Sequence, residues 1–537
     1  MSVSARVSSS VVFCALTTLA RVSFAQPAPP ATPASSASSA ASTDVVVEGD
    51  RPQLYRGARD ADLASTVIRG EPLRQAGSVL SDVMRSQPGV QINASGASSD
   101  LATAMVRGAS ASQLPVYVAG IRINDDLGGT ADLSTVPLWM LDRVEIYRGN
   151  APIDADRPAI AGALFLDPRL PRGPRLVAGA GLGSYGWNET HALASYGNSS
   201  ASVLVAARRE QATNDYEYRD DRGTAFNPTD DRTLRRPNAD ATSYDIWTLS
   251  RLHQGDTTLT LLAQGFSREQ GAPGALLNPA ATRLRTRRWL VGARATSTCG
   301  KDCRFEIRTS SLSASTVLRD PGRELDLGAT DLAVDANRVE PGARVVWTPR
   351  DAFSLSVASD IAREGARITS SGESAPLLSA HRNALRAAVH TSYTPWRYLR
   401  LAALSTLEHF DTEAQGVDPA TTLPLNDKNR SASLTPLSAR GSVVLGTTAF
   451  SVVANVSRAV RPPTLGELYG QSAVVRGNAK LEPETALSAD LGARGSHAFR
   501  GPAGRWLIEV DTLPTYAKSR VSSRSNELLP AAYDPST

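Results

Sequence analysis

Phe353-Ser354-Leu355-Ser356-Val357-Ala358-Ser359-Asp360-Ile361 is the stretch that decides the fold class. Successive side chains of an extended chain point to opposite sides. Phe353, Leu355, Val357 and Ile361 therefore share one face, and Ser354, Ser356, Ala358 and Asp360 the other. The same period of two recurs at Phe305 and Ile307 against Glu306 and Arg308, and at Leu259 and Leu261 against Thr258 and Thr260. It recurs again at Leu385, Ala387, Val389 and Tyr393 against Arg386, His390 and Ser392, and at Phe450, Val452, Ala454 and Val456 against Ser451, Asn455 and Ser457. From about Arg175 onward no helical period competes with it. In a soluble sandwich the polar face of such strands meets water outside; in an outer-membrane barrel it lines the lumen.

The connections favour the barrel. Short ones fall near Gly197-Asn198, Gly255-Asp256, Cys299 to Cys303, Thr348 to Asp351, Thr394 to Trp396 and Leu445 to Thr447. Long polar ones fall near 210–243, 267–284, 319–338, 362–383, 411–433 and 459–484. Tight turns at one end and long loops at the other are what an up-and-down membrane barrel produces, and a sandwich has no reason to sort its loops this way. An aromatic content of 6% is thin for two interfacial girdles.

Composition removes other classes. The 537 residues carry 57 Lys+Arg against 53 Asp+Glu, a net charge of +4, which argues against a nucleic-acid binder. Three cysteines exclude a disulfide scaffold, and six histidines without an HExxH-like pair argue against a histidine zinc site. No apolar run is long enough for a transmembrane helix.

Arg6, the apolar run Val7 to Ala20 and Ser23-Phe24-Ala25 read as a secretory signal peptide, residues 1–25. Residues 26–43 are an Ala/Ser/Pro tether that buries too little to order itself. Asp44-Val45-Val46-Val47-Glu48-Gly49 then places a lone apolar triplet at the end of the arm. It suits strand addition to a partner's sheet edge, or it is the first strand of the next domain.

Residues 51–172 have a mixed α+β grammar. Ser78 to Met84 predicts a short helix with Val79, Leu80 and Val83 on one face, broken at Pro88-Gly89-Val90. Val116 to Ile123 alternates as a strand, Trp139 to Val144 suits one helical turn, and Val144 to Gly149 and Ala159 to Leu166 read as strands.

With these residues in place the chain resembles the TonB-dependent outer-membrane receptors over 44 to about 510. Asp44 to Val47 resembles their TonB box. Ser81 to Val90, Val106-Arg107-Gly108, Val116 to Arg122, Arg143 to Gly149 and Ala159 to Ala163 follow the order and spacing of their plug. Ser457-Arg458-Ala459, Pro462 to Tyr469, Gly477-Asn478 and Leu481 to Thr485 resemble their barrel signature. Ala119 stands where the family usually has Asp, and Asn150 where it often has Pro. The resemblance implies an α+β plug, 51–172, inside a large antiparallel transmembrane β-barrel in the outer membrane of a Gram-negative bacterium.

It also implies the partners. TonB would add a strand at Asp44, Val45, Val46 and Val47 and pull, driving uptake of an extracellular ligand of the ferric siderophore or cobalamin class; no covalent step, cofactor or catalytic residue is implied. Plug arginines face barrel glutamates in this family, which points to Arg107 and Arg148 with Glu482 and Glu484, and less so Glu467. The alternative leaves these arginines solvated or paired within the plug. About fifteen strands can be counted between Arg175 and Asp511, where about 22 are expected. The barrel, 173–512, is thus expected to be partial and C-terminally truncated, through a frameshift near 511, with 513–537 as a tail outside any strand.

Two local features remain. Cys299 and Cys303 flank a Gly-Lys-Asp turn and predict a disulfide stapling that hairpin, since no nearby His or Cys completes a CxxxC metal site. Asn214 to Asp221 with Asp230 and Asp231 is rich in oxygen donors but lacks EF-hand spacing, so a solvated loop is preferred to a calcium site. Among other functions, a passive pore or surface-binding barrel would need neither plug nor box. A barrel-bound hydrolase lacks a visible GxSxG with a paired histidine.

Overall fold

The computed structural model describes residues 60–522, apart from 61, 64, 76–77, 95–99, 156, 170–172, 223, 225, 273–280, 325–330, 371–375, 418–430, 448–449, 471–476 and 502–503, and the side chains of 494 and 496–522. The signal peptide, the tether and the TonB-box-like segment lie outside the described residues.

The plug is built on β1 (Ser65–Arg69), β4 (Val116–Val118), β5 (Ile121–Arg122), β6 (Leu141–Arg148) and β7 (Gly162–Pro168), in the order β1-β6-β7-β4-β5. Helix α1 (Leu80–Arg85) and the hairpin of β2 (Val90–Ala94) with β3 (Ala102–Val106) complete it. Val79 caps the helix rather than joining it, and Leu80, Val83 and Met84 are its buried face. The stretch 116–123 is a tight hairpin, not one strand. Ala119 and Gly120 take φ of 51° and 83°, as a two-residue turn between twisted strands requires. Period two survives such a turn, so alternation alone could not reveal it. Trp139 lies in a 3-10 turn (Leu138–Met140) that runs into β6.

The second sheet contains β8 (Arg175–Leu182), β9 (Asn188–Gly197), β10 (Ala201–Ala212), β13 (Ala241–Gln254), β14 (Thr257–Gly271), β15 (Arg283–Thr298), β16 (Cys303–Arg319), β17 (Asp331–Arg350), β18 (Phe353–Ser370), β19 (Leu378–Trp396), β20 (Leu399–Gly416), β22 (Leu437–Gly446), β23 (Phe450–Arg461), β24 (Glu484–Gly501) and β25 (Gly504–Ser522). These strands form one antiparallel order of chain neighbours, interrupted only where β21 (Ser431–Leu434) pairs off the path with β20 and where a small hairpin, β11 (Glu217–Asp220) with β12 (Arg232–Arg235), stands in a long loop. Among the described residues β8 and β25 end the order.

The alternation sorts as expected. On β18, Val357 and Ile361 are exposed outward while Ala358, Asp360, Ala362 and Glu364 are buried inward. Large apolar side chains such as Trp289, Val291, Val339, Val345, Leu385, Val389 and Val456 stand exposed on the outer face, the reverse of the arrangement in a water-soluble sandwich. One correction concerns the end of the chain. Residues 513–522, read above as outside any strand, continue β25 and pair with β24. The register shifts beside Pro514, where Gly492 faces Pro514 and Leu491 faces Tyr516. A proline lacks the ladder N–H but is tolerated at such an irregularity, so Pro514 does not end the strand.

Cys299 and Cys303 are joined as a disulfide across the β15–β16 turn, with their Cα atoms 4.9 Å apart. Closing so short a loop contributes about 2 kcal/mol in the chain-entropy account. Reduction, or Cys299→Ser with Cys303→Ser, is expected to lower the melting temperature slightly and leave the fold intact. Non-reduced peptide mapping that finds free thiols would overturn the pairing.

Candidate functional site

The curled sheet grips the plug in two ways. One side is apolar: Leu193, Leu204, Trp247, Leu249, Leu262, Leu290 and Leu312 of β9 to β16 share a buried core with plug residues Leu73, Met84, Val106, Leu133 and Leu138. The other grip is ionic, and arginines dominate it.

The ionic centre lies where the loop after β5 meets β17 and β18. Period two turns Arg338 and Glu340 of β17 inward while Val339 between them faces out. The Arg338 guanidinium donates to both carboxylate oxygens of plug Asp126 at 2.9 and 3.1 Å, and to the carbonyls of Asn124 and Arg122 at 3.0 and 2.5 Å. Plug Arg122 bonds Asp126 at 3.3 Å and Glu364 at 3.5 Å, and lies 3.7 Å from Glu340. Plug Arg157 pairs with Glu364, and Arg382 of β19 stands 3.8 Å from it. Arg338 and Asp126 each expose only 1% of the side chain. Burial pushes the Asp126 carboxyl up, but Arg338, Arg122 and Arg157 outweigh it and hold the group below its usual value. Its neighbour Asp125 is held above the usual value by burial despite the amides of Gly128 and Thr130.

Three further clamps follow the same logic. Arg268 of β14 holds Asp132 at 2.9 Å and the Ser134 hydroxyl at 3.0 Å, while Arg208 of β10 reaches the Ser134 carbonyl at 3.0 Å and Arg288 of β15 the Thr135 hydroxyl at 2.8 Å. Arg344 of β17 pairs with Asp154, and Arg308 of β16 donates to the Asp154 carbonyl at 3.2 Å. At the start of the plug, Arg440 of β22 holds Asp60 at 2.8 Å and Arg400 of β20 holds Asp62 at 2.9 Å. The Asp60 amide donates to the buried Tyr147 hydroxyl at 3.0 Å, and that hydroxyl donates to Glu145 at 2.7 Å.

The expected pairs are rearranged. Arg107 does bridge plug and barrel, but to Asp490 of β24 at 2.5 Å, where Asn150 also donates at 3.4 Å. Arg148 donates to the Pro88 carbonyl at 3.0 Å and the Thr66 hydroxyl at 2.7 Å, both inside the plug, because it ends β6 beside β1. Glu484 touches the plug through Gln113 at 2.8 Å and is paired with Arg461 at 2.7 Å, which also holds Glu467. Glu482 is an exposed residue ahead of β24. In the loop of 214–231, Arg219 pairs with Asp231, and Arg235 holds Asp215 at 3.2 Å and lies 3.6 Å from Glu217, so these carboxylates face arginines.

Barrel arginines clamping plug aspartates were missed from sequence. Some lumen-facing charges, such as Asp360 and Arg386, were visible as polar members of the alternation, whereas Arg338 fell in the long connection read near 319–338 and lies in β17 instead. The partners of such charges were not visible, since Arg338 and Asp126 stand 212 residues apart.

A charge-locked stopper within a sheet that is apolar on its outer face is the architecture of a plugged β-barrel. The chain belongs to the TonB-dependent receptor family: residues 58–163 match the TonB-dependent receptor plug domain, and residues 181–513 the TonB dependent receptor-like β-barrel. Members of this family are outer-membrane transporters of Gram-negative bacteria that work with TonB, and not enzymes. Among solved structures, the chain is similar to the copper transporter OprC at 16% identity and a TM-score of 0.64, covering 85% of this chain and 76% of that one. It is similar to the FrpB iron transporter from Neisseria meningitidis at 11% identity and 0.64, covering 83% and 75%. It is also similar to the ferric yersiniabactin uptake receptor FyuA from Yersinia pestis at 16% identity and 0.57, covering 81% and 70%. At these identities the likeness is one of fold.

Proposed function

We propose that this chain sits in the outer membrane and imports a bulky, scarce ligand of the ferric siderophore or cobalamin class by TonB-coupled transport. The observation that carries the reading is the buried ionic lock between plug and wall. A stopper held by ion pairs as buried as Arg338 with Asp126 is closed at rest and needs work to move. TonB would supply that work by adding a strand at Asp44, Val45, Val46 and Val47, whose main-chain bonds tolerate sequence variation. The wall lipid and the extracellular ligand complete the set of partners.

The test is uptake by cells expressing the full chain, with labelled ferric siderophores, cobalamin and, because one similar structure is a copper transporter, copper. Val46→Pro removes an N–H that strand addition needs. It is expected to abolish uptake while leaving surface binding of the ligand unchanged. Uptake that persists in the Val46→Pro variant, or in cells lacking TonB, would favour the passive pore.

A further inference from the structure

Near the long-loop end, the outward face of the barrel carries two rows of side chains in register across five strands. Thr190, Arg209, Tyr244, Ser267 and Arg287 stand directly opposite one another along β9, β10, β13, β14 and β15. The next row toward the tight turns is Ala192, Ala207, Ile246, Gly265 and Trp289. The upper row is two cations separated by hydroxyls. The lower row is apolar and mostly small.

Together they line a groove of about 720 Å³. Tyr244, Ile246 and Trp289 form its ridges and are 53%, 50% and 63% exposed. Ala192, Ala207 and Gly265 leave its floor low. A Cβ at Gly265 would come within 2.7 Å of the Trp289 ring and 3.1 Å of Ile246, so the absent side chain is what lets the indole lie across the trough. Arg209 donates to the amide oxygens of Asn188, at 3.1 Å, and Gln211, both neutral. Arg287 faces Ser267, and among the described residues neither arginine has a carboxylate partner. Cationic side chains normally pair or face water, yet these two border an apolar trough on a lipid-facing wall. That pattern calls for an amphiphile with anionic groups at its head.

The spacing says which amphiphile. Arg209 and Arg287 are three strand spacings apart, roughly 14 Å. Most glycerophospholipids present one phosphate, and the two of a diphosphatidylglycerol are joined by a single glycerol, too short for this span. A phosphorylated disaccharide carrying acyl chains presents two, at separate points, with hydroxyls between them. We propose that this groove binds lipid A, the phosphorylated glycolipid of the outer leaflet, with phosphates at Arg209 and Arg287 and an acyl chain along Ala207 and Gly265 beside Trp289. The proposal rests on the outer-membrane reading above, since the long-loop end must face the outer leaflet.

The test is native mass spectrometry of the full chain folded in mild detergent and titrated with bisphosphorylated lipid A, monophosphorylated lipid A and phosphatidylglycerol. Arg209→Gln with Arg287→Gln is expected to weaken lipid A binding by about tenfold or more. Arg363→Gln with Arg367→Gln, on the outward face of β18 away from the groove, should change nothing. Gly265→Leu fills the trough with both cations intact and should also weaken binding. Equal affinity in the Arg209→Gln, Arg287→Gln protein, or phosphatidylglycerol binding as tightly as lipid A, would overturn the site. Membrane fractionation reports separately: a chain found outside the outer membrane ends the location reading, while detergent binding still judges the groove.

Discussion

Asp126→Leu is expected to unplug the barrel. The cluster around it holds four cations, Arg122, Arg157, Arg338 and Arg382, against three acids, Asp126, Glu340 and Glu364. Removing Asp126 leaves Arg338, at 1% exposure, with two carbonyls, a glutamate 3.5 Å away, and a like-charged Arg122 beside it. Breaking one side of such a buried pair costs about 3–5 kcal/mol. In the intact outer membrane this should appear as sensitivity to large antibiotics that the wild type excludes, and in detergent as a lowered melting temperature. Arg338→Met alone should behave similarly, because it takes from Asp126 its closest cation and leaves Arg122 with the more distant Arg157. The double variant should recover much of both losses, since removing a buried pair together is often near neutral. A double-mutant cycle reads the coupling directly. Single variants that stay impermeable with an unchanged melting temperature would show that this cluster does not retain the plug.

The second large effect is expected at the start of the plug, where pulling from Asp44 to Val47 would arrive first along the chain. Asp60 and Arg440 are 6% and 3% exposed, so Asp60→Asn leaves a buried guanidinium without its carboxylate and costs about 3–5 kcal/mol of anchoring. The Arg400–Asp62 pair is more open on the arginine side and should add less. Burial raises the Asp60 carboxyl, but Arg440 and the Asp62 amide outweigh it and hold it below the ordinary value. A depressed carboxylate stabilises the folded state above its unfolded pKa, about 3.9, and loses that contribution as the pH falls through the folded value. The anchor should therefore be constant at neutral pH and weaken below about pH 4. Force spectroscopy on the full chain, pulled from the N-terminus, is expected to show a lower first rupture force in Asp60→Asn and in acid, with little pH dependence left in the variant. A first rupture that ignores both changes would remove this clasp from the pulling path.

The legible parts of this protein are those set by local periodicity. Alternation at Phe353 to Ile361 identified both the strand and its exposed apolar face, and short turns such as Gly255-Asp256 marked one end of the sheet. The errors were also local. The turn at Ala119-Gly120 keeps period two and hid inside a strand, and residues 513–522, expected outside any strand, run on in β25 because a register shift absorbs Pro514.

Sequence alone thus determined a wall of in-out strands, a mixed domain before it and the inward face of charges such as Asp360 and Arg386. Only the tertiary structure decided which charges meet. Arg107 could be assigned to the interface by its place in a plug motif, but its partner is Asp490, not a glutamate of the signature loop. Arg338, expected in the long connection near 319–338, lies inside β17 with its side chain inward, and its grip on Asp126 depends on how far the sheet curls and where one loop enters it. The physical reason is range: a side chain's direction follows from its own backbone, whereas an ion pair needs two distant backbones brought within a few ångströms, and no pattern in either segment encodes that distance.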